Sequence, residues 1–233
     1  MSAVLVKVCG ITSPDDALAC VAEGVDLIGL NFVGGPRRIS LQQGVDISKA
    51  VLGYARLVGV FADQHVEEIQ SIAARCSLDY VQLHGFEDQE YISKLGNLRV
   101  IKAVRLTENC SLDEVLGIAQ LPNVSYLLVD AYKKGKLGGT GQLANWPKAA
   151  ALRAAMDELG LRSPGYGFRG LAIAGGLGPG NVGRCVEAVG PDMVDLNSAV
   201  ENEPGKKDRQ KVASAVLEVR GVESNQGRID RIE

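Results

Sequence analysis

Nine side chains stand where apolar runs of this sequence give way to loops and could do chemistry there: Cys9, Asn31, Asp63, Gln82, His84, Lys102, Arg105, Asp130 and Ser198. Cys9, in Lys7-Val-Cys-Gly-Ile-Thr12, lies at a strand-to-loop turn where Gly10 permits an unusual backbone, a setting suited to exposing a thiol. A lone cysteine in an apolar strand is otherwise a small core residue. Asp130 closes the apolar run Tyr126-Leu-Leu-Val-Asp130, where partial burial would raise a carboxyl pKa and keep the group protonated as a general acid. Its plain alternative is a loop acid that caps a turn.

Glycine carries a second signal. Gly175-Gly176 and Asn197-Ser198-Ala199 each follow a predicted strand, and backbone N–H groups in such loops grip phosphate. A phosphorylated small-molecule substrate is expected. A Walker loop and the dinucleotide fingerprint are both absent, so neither a nucleoside triphosphate nor a nicotinamide is implied.

The elements that must position these residues alternate along the chain. β-Branched runs at 4–8, 26–32, 56–61, 80–83, 99–105, 125–130, 171–174 and 192–196 predict eight strands. Each is followed by a helical stretch. Ser13-Pro14-Asp15-Asp16 supplies a cap, a proline at the first helical position and acids in the first turn, and Ser40 can cap a helix to about 49. The remaining helices are expected at about 64–75, 87–95, 112–120, 147–159, after Pro179, and 208–220. Eight strand–helix units in 233 residues fit a single α/β domain, a (β/α)8 TIM barrel over 1–220, because right-handed crossovers let a parallel sheet close. An open doubly wound sheet fits the same pattern. In a barrel the active site lies at the carboxyl ends of the strands, where the residues above are found. The polar segment 221–233 reads as a flexible C-terminal tail, and the glycine-rich stretch 131–145 reads as a lid.

Composition removes other classes. Apolar residues make up 46% and charged residues 23%, ordinary globular values. Lys and Arg number 25 against 28 Asp and Glu, a net charge of −3, and no basic stripe predicts nucleic acid as a partner. No apolar stretch approaches the roughly 18 residues of a membrane helix, and a cytoplasmic protein is expected, with no membrane partner. The five cysteines lack any Cys-x-x-Cys pair and the two histidines lie far apart, so neither a disulfide framework nor a metal site is suggested.

A set of short motifs runs along the chain in order: Lys7-Val-Cys-Gly-Ile-Thr12, Gly29-Leu-Asn-Phe32, Pro36-Arg37, Val58-Gly-Val-Phe61, Val81-Gln-Leu-His-Gly85, Ile101-Lys-Ala103, Leu128-Val-Asp130 and Gly138-Gly-Thr-Gly141 with Trp146. Ala174-Gly-Gly-Leu177, Pro179, Asn181-Val182, Val194-Asp195, Val200-Glu201 and Pro204-Gly-Lys-Lys-Asp208 continue the set, which spans about 4–215. The ordered set resembles the phosphoribosylanthranilate isomerase family of tryptophan biosynthesis. The resemblance implies an Amadori rearrangement of N-(5-phosphoribosyl)anthranilate to 1-(2-carboxyphenylamino)-1-deoxyribulose 5-phosphate, without a cofactor. By the family pattern Asp130 is the general acid that opens the ribose ring, and Cys9 is the general base that removes the C2 proton. Arg37 meets the anthranilate carboxylate, Gly175, Gly176, Ser198 and Ala199 form the phosphate loops, and Gln82 and His84 line the pocket. Because the substrate nitrogen is the electron sink, Lys102 is structural rather than a Schiff-base lysine. A monomer or a homodimer is compatible with the sequence.

Two stretches depart from the family pattern. Gly35 stands where a serine is usual, and Asn197-Ser198-Ala199 replaces Ser-Ser-Gly or Ser-Gly-Gly. If the backbone at 199 needed positive φ, alanine would weaken or shift phosphate binding. A related barrel, the aminoimidazole carboxamide isomerase of histidine synthesis, carries an acid at the end of strand one. Cys9 at that place argues against it, and the presence of both Cys9 and Asp130 argues against a non-catalytic phosphate-binding barrel.

Overall fold

In the computed structural model, which describes residues 3–107, 110–131, 144–163 and 169–229, strand and helix alternate eight times. The first half runs β1 (Leu5–Cys9), α1 (Pro14–Ala22), β2 (Leu27–Asn31), α2 (Leu41–Val51), β3 (Arg56–Phe61), α3 (Val66–Arg75), β4 (Tyr80–Leu83) and α4 (Gln89–Lys94). The second half runs β5 (Val100–Val104), α5 (Leu112–Ala119), β6 (Val124–Val129), α6 (Trp146–Glu158), β7 (Gly170–Ile173), α7 (Val182–Val189) and β8 (Met193–Leu196). A short hairpin, β9 (Glu201–Glu203) and β10 (Lys206–Lys207), precedes the last helix, α8 (Arg209–Ile229).

Local chemistry sets these boundaries. Ser13 accepts the Asp16 N–H with Pro14 just inside α1, and Ser40 and Gln43 form a reciprocal capping box on α2. Asp88 and Asn145 cap α4 and α6, and Gly190, at φ 62°, ends α7 in the left-handed conformation that favours glycine. All neighbouring strands pair in parallel and in sequence, and β8 returns to β1 with Lys7 opposite Asp195. The sheet is therefore a closed barrel, and the open alternative is excluded.

Period-two alternation then divides the apolar side chains between two cores. Val6, Val8, Ile28, Leu30, Leu127, Val129, Val194 and Leu196 face the helices. Leu27, Val58, Tyr80, Ile101, Tyr126, Leu128, Ala172 and Met193 fill the barrel axis. Several inward series start apolar at the floor and end polar at the carboxyl rim, as in Tyr80–Gln82–His84 and Tyr126–Leu128–Asp130, whereas Val58–Val60–Ala62 and Ala172–Ala174 stay apolar. The barrel floor is thus a packed support for the polar rim.

One expectation meets a different outcome. The helix expected to stop near Arg220 runs on to Ile229, so 221–229 is helix rather than a loose tail. The hairpin β9–β10 was not anticipated. Most of the stretch read as a lid, 132–143, lies outside the described residues. No described helix is long and apolar enough to cross a membrane.

Leu128 is fully buried on the axis, one inward step below Asp130. Leu128→Ala is expected to lose about 2–5 kcal/mol of stability through the cavity it leaves, read as a lower urea midpoint at unchanged m-value.

Candidate active site

A cavity of about 360 Å³ opens at the carboxyl ends of the strands. Its wall includes Cys9, Arg37, Gln82, His84, Asp130, Gly175, Gly176 and Ser198. Ala199 stands outside that wall, exposed on a short turn. Sequence reasoning gave no role to the side chain of Asp195, which also lines the cavity, or to Lys7 beneath it; Asn197, read there only as part of a phosphate loop, lines the cavity too.

Cys9 ends the inward series Leu5–Lys7–Cys9 of β1 and is 8% exposed. Gly29 on β2 makes room for it: a Cβ there would lie 2.8 Å from Cys9 Cα, 2.9 Å from its Sγ and 3.1 Å from Lys7 Nζ. Lys7 is fully buried and donates to Asp195 Oδ2 at 2.7 Å across the β1–β8 pair. Burial opposes a charge on Lys7, but the Asp195 carboxylate outweighs it and holds the ammonium above the ordinary lysine range. For Cys9, burial dominates and pushes the thiol up. Lys7 pulls the other way, Asp195 adds to the rise, and Lys207 reduces it.

Asp130 is held from both sides. Its Oδ1 accepts the Ala131 N–H at 2.7 Å and its Oδ2 meets His84 Nε2 at 3.0 Å. Gln82 Nε2 lies 3.3 Å from His84 Nδ1, while Gln82 Oε1 is buried without a partner among the described residues. With the amide in this orientation Nδ1 accepts, so the hydrogen of a neutral ring sits on Nε2 and points at Asp130. Turning the amide over would present Oε1 to a protonated Nδ1. Gln82 can therefore match either protonation state of the His84–Asp130 pair.

Behind this chain the loop after β4 is fixed by buried charge. Lys102 faces away from the axis and donates to Glu87 Oε2 at 2.6 Å and to the Gly85 carbonyl at 3.0 Å. Burial works against the Glu87 charge, but Lys102 holds its carboxyl below the usual range. Asp63, at φ 55°, turns its carboxylate against Gly85 and accepts the Phe86 N–H. Lys102 and Asp63 are supports of the rim.

Arg37 enters across Gly10, whose φ is 74° and whose missing Cβ would lie 2.6 Å from Arg37 Cδ. Its guanidinium is gripped by Glu201 on β9, Nε to Oε1 at 2.9 Å and Nη2 to Oε2 at 2.6 Å. Nη1 makes no hydrogen bond among the described residues. Lys207 donates to Glu201 Oε1 at 2.6 Å and to Asn197 Oδ1 at 3.2 Å, which joins the arginine to the loop after β8. Burial lowers the Lys207 pKa despite Glu201. The hairpin itself docks through Thr12, which donates to the Gly205 carbonyl at 2.6 Å.

Gly175 and Gly176 take φ of 85° and 62°, and neither N–H is paired among the described residues. A Cβ on Gly175 would strike the Ala131 N at 2.7 Å and lie 3.1 Å from Asp130 Oδ1, so this loop abuts the acid. Ala199 is not in the left-handed region, which among described non-glycine residues holds only Asp63 and Ser77. Its methyl occupies the space that Gly178 leaves, 2.6 Å from where a Cβ would be. The alanine is thus accommodated without strain. Gly35 has φ 121° and open space around it. Among the described residues no three or more His, Cys, Asp or Glu gather to hold a metal ion.

The family model for N-(5'phosphoribosyl)anthranilate (PRA) isomerase matches residues 6–218. The chain belongs to this family. It is 38% identical over 210 residues to the N-(5'-phosphoribosyl)anthranilate isomerase of Rubrobacter xylanophilus, covering 89% of this chain and 94% of that one. The Geobacter metallireducens isomerase is likewise 38% identical, over 90% of this chain and 95% of its own. Among solved structures, phosphoribosyl anthranilate isomerase from Thermotoga maritima superposes with a TM-score of 0.79 at 32% identity, covering 94% of this chain and 99% of that one. Another isomerase, at TM-score 0.77, 31% identity and the same coverage of both chains, was solved with reduced 1-(o-carboxyphenylamino)-1-deoxyribulose 5-phosphate.

Because Cys9 Cα is backbone, the contact at Gly29 cannot be relieved by a rotamer change. Gly29→Ala is expected to displace Cys9 and lower kcat by about 100-fold or more while the far-ultraviolet circular dichroism stays native. Unchanged kcat would show that the site tolerates the methyl.

Proposed function

We propose that the cavity performs a cofactor-free Amadori rearrangement of N-(5'-phosphoribosyl)anthranilate to 1-(2-carboxyphenylamino)-1-deoxyribulose 5-phosphate by general acid–base catalysis. The chain acts in tryptophan biosynthesis as an isomerase of this substrate. The observation that carries the mechanism is the meeting of Cys9 and Asp130 in one cavity, with the Gly175–Gly176 loop against the acid.

Asp130, sharing a proton with His84, protonates the ribose ring oxygen, and the C1–O bond breaks as the anilinic nitrogen forms the C1 iminium. The Cys9 thiolate then removes the C2 proton, and the electron pair flows through C1 to nitrogen to give the enolamine. Ketonisation completes the isomerisation. Arg37, oriented by Glu201, keeps Nη1 for the anthranilate carboxylate, a use that suits its planar fork. Gly175, Gly176 and Ser198 hold the phosphate, Ala199 standing outside the cavity wall, and Gln82 and His84 complete the wall. A monomer or a homodimer is the expected state, supported by the dimeric isomerase of Thermotoga maritima, from which monomers were also generated. A cytoplasmic location fits a pathway of small phosphorylated metabolites.

The test is the fluorescence decay of freshly made phosphoribosylanthranilate. Asp130→Asn and Cys9→Ser are each expected to lower kcat by about 100- to 10,000-fold in folded protein. Turnover surviving both changes would overturn the mechanism.

The pH profile follows from the buried thiol. The base is the deprotonated form, and burial holds its pKa above the ordinary thiol value, so thiolate is the minor species at neutral pH. In the free enzyme kcat/KM should therefore climb by up to about tenfold per pH unit from pH 7 upward. A plateau reached near neutrality would contradict the thiolate assignment.

A further inference from the structure

Asp195 is the carboxylate that the acid–base pair leaves unused. It is 7% exposed, projects inward from β8 and lines the same cavity as Cys9 and Asp130. Its Oδ2 is taken by Lys7. Its Oδ1 is shielded from solvent and has no hydrogen-bond partner among the described residues. A shielded carboxylate oxygen without a donor is costly, and because the Asp195 residue lines the cavity, a ligand seated there is placed to supply one.

The buried lysine shows which part of the ligand that is. A Cβ on Gly29 would touch both Lys7 Nζ and Cys9 Sγ, so Lys7 sits under the base as well as against Asp195. Cys9 and Asp195 therefore line the same side of the cavity, Asp195 one inward step deeper along the paired β1 and β8 strands. The carbon that loses its proton to Cys9 carries a hydroxyl, and that hydroxyl has to lose its own proton when the ketone forms.

Resting on the mechanism proposed above, we infer that Asp195 is a third catalytic residue: Oδ1 accepts the C2 hydroxyl of the open-chain sugar and takes its proton as the enolamine becomes the ketone. In this step the C2 O–H bonding pair becomes the carbonyl π bond. The C1–C2 π pair takes a proton at C1 from the Cys9 thiol, which returns Cys9 to thiolate. Asp195 then gives its proton to solvent while Asp130 regains one, so C2–H has moved to C1 and the hydroxyl hydrogen has in effect moved to the former ring oxygen. Lys7, charged throughout, compensates Asp195 before the transfer.

The experiment compares C2 hydrogen exchange with ketose formation in D2O, using the full chain and substrate recovered before completion. Asp195→Asn keeps the shape but cannot take the proton. Exchange at C2 should continue while ketose formation falls by about 100-fold or more, so the ratio of exchange to product rises by at least about tenfold over wild type. If the unpaired Lys7 prevents Asp195→Asn from folding, Lys7→Gln/Asp195→Asn removes both buried charges and the same rise in ratio is expected. A ratio equal to wild type, or turnover within about threefold of it, overturns the proposal. Cys9→Ser, run beside it, should lose exchange and turnover together. Exchange persisting in Cys9→Ser would instead overturn the base assignment on which the proposal rests.

Discussion

Strands paired in parallel around a closed ring leave each side chain only two destinations, the helix layer outside or the barrel axis within. On the axis, depth is set by register, because neighbouring strands are locked by their hydrogen bonds. Leu5–Lys7–Cys9 on β1 and Met193–Asp195–Asn197 at β8 are therefore matched level by level, with Lys7 opposite Asp195. Tyr126 and Tyr80 occupy the floor with ring centroids 5.9 Å apart, edge to face, and hold the polar levels above them apart from the lower rim. Shifting one strand by one residue would send Cys9 or Asp130 into the helix layer. The chemistry at the rim thus depends on the packing of the floor.

The Lys7–Asp195 pair is the least tolerant part of this arrangement. Deleting one member of a fully buried ion pair costs about 3–5 kcal/mol, because it leaves a charge without compensation. That expense is hard to explain as a contribution to folding alone, since an apolar pair of similar volume would pack the same level. It is explained by what lies on either side: a thiol whose ionisation burial opposes, and a cavity that the Asp195 residue lines while its Oδ1 has no partner among the described residues. The same reasoning applies at the rim. Arg37 and Lys207 share the one carboxylate of Glu201, which leaves an excess of positive charge beside the loop at 197–198. A substrate carrying a carboxylate and a phosphate supplies the missing negative charge.

Much of this was legible in the sequence, and the reasons for what was not are physical. Cys9, Gln82, His84 and Asp130 were visible because each ends an apolar run, and the eight units were visible because β-branched runs alternate with helical stretches that Ser13, Ser40 and Pro179 punctuate. Closure was not, since an open sheet has the same strand pattern. Lys7 and Asp195 were overlooked because a charge within a β-branched run looks like an interruption. Counting back by two from Cys9 reaches Lys7, and counting on by two from Met193 reaches Asp195 and Asn197. The hairpin was hidden by strands only three and two residues long, although Pro204-Gly205 marks its turn. The fit of Ala199 depends on a short turn and on Gly178 some twenty residues away, which no local pattern encodes. The end of α8 was placed too early because a polar composition was read as a tail, whereas a helix carried by a long preceding segment needs no apolar face in its last turns.

The thiol shows how these constraints trade against one another. Burial at the end of β1 places Cys9 within reach of a sugar carbon and keeps water away, and the same burial disfavours the thiolate that must act. Lys7 and Lys207 offset this from below and from the side, whereas Asp195 works against them. Were Asp195 only the counter-ion of Lys7, its position would weaken the base it stands beside. An acceptor for the C2 hydroxyl resolves the conflict: once a ligand donor engages Oδ1, part of the carboxylate's charge is neutralised, and Lys7 is freer to stabilise the thiolate at the moment substrate is present. The opposing influences on Cys9 then become a means of activating the base when the sugar arrives.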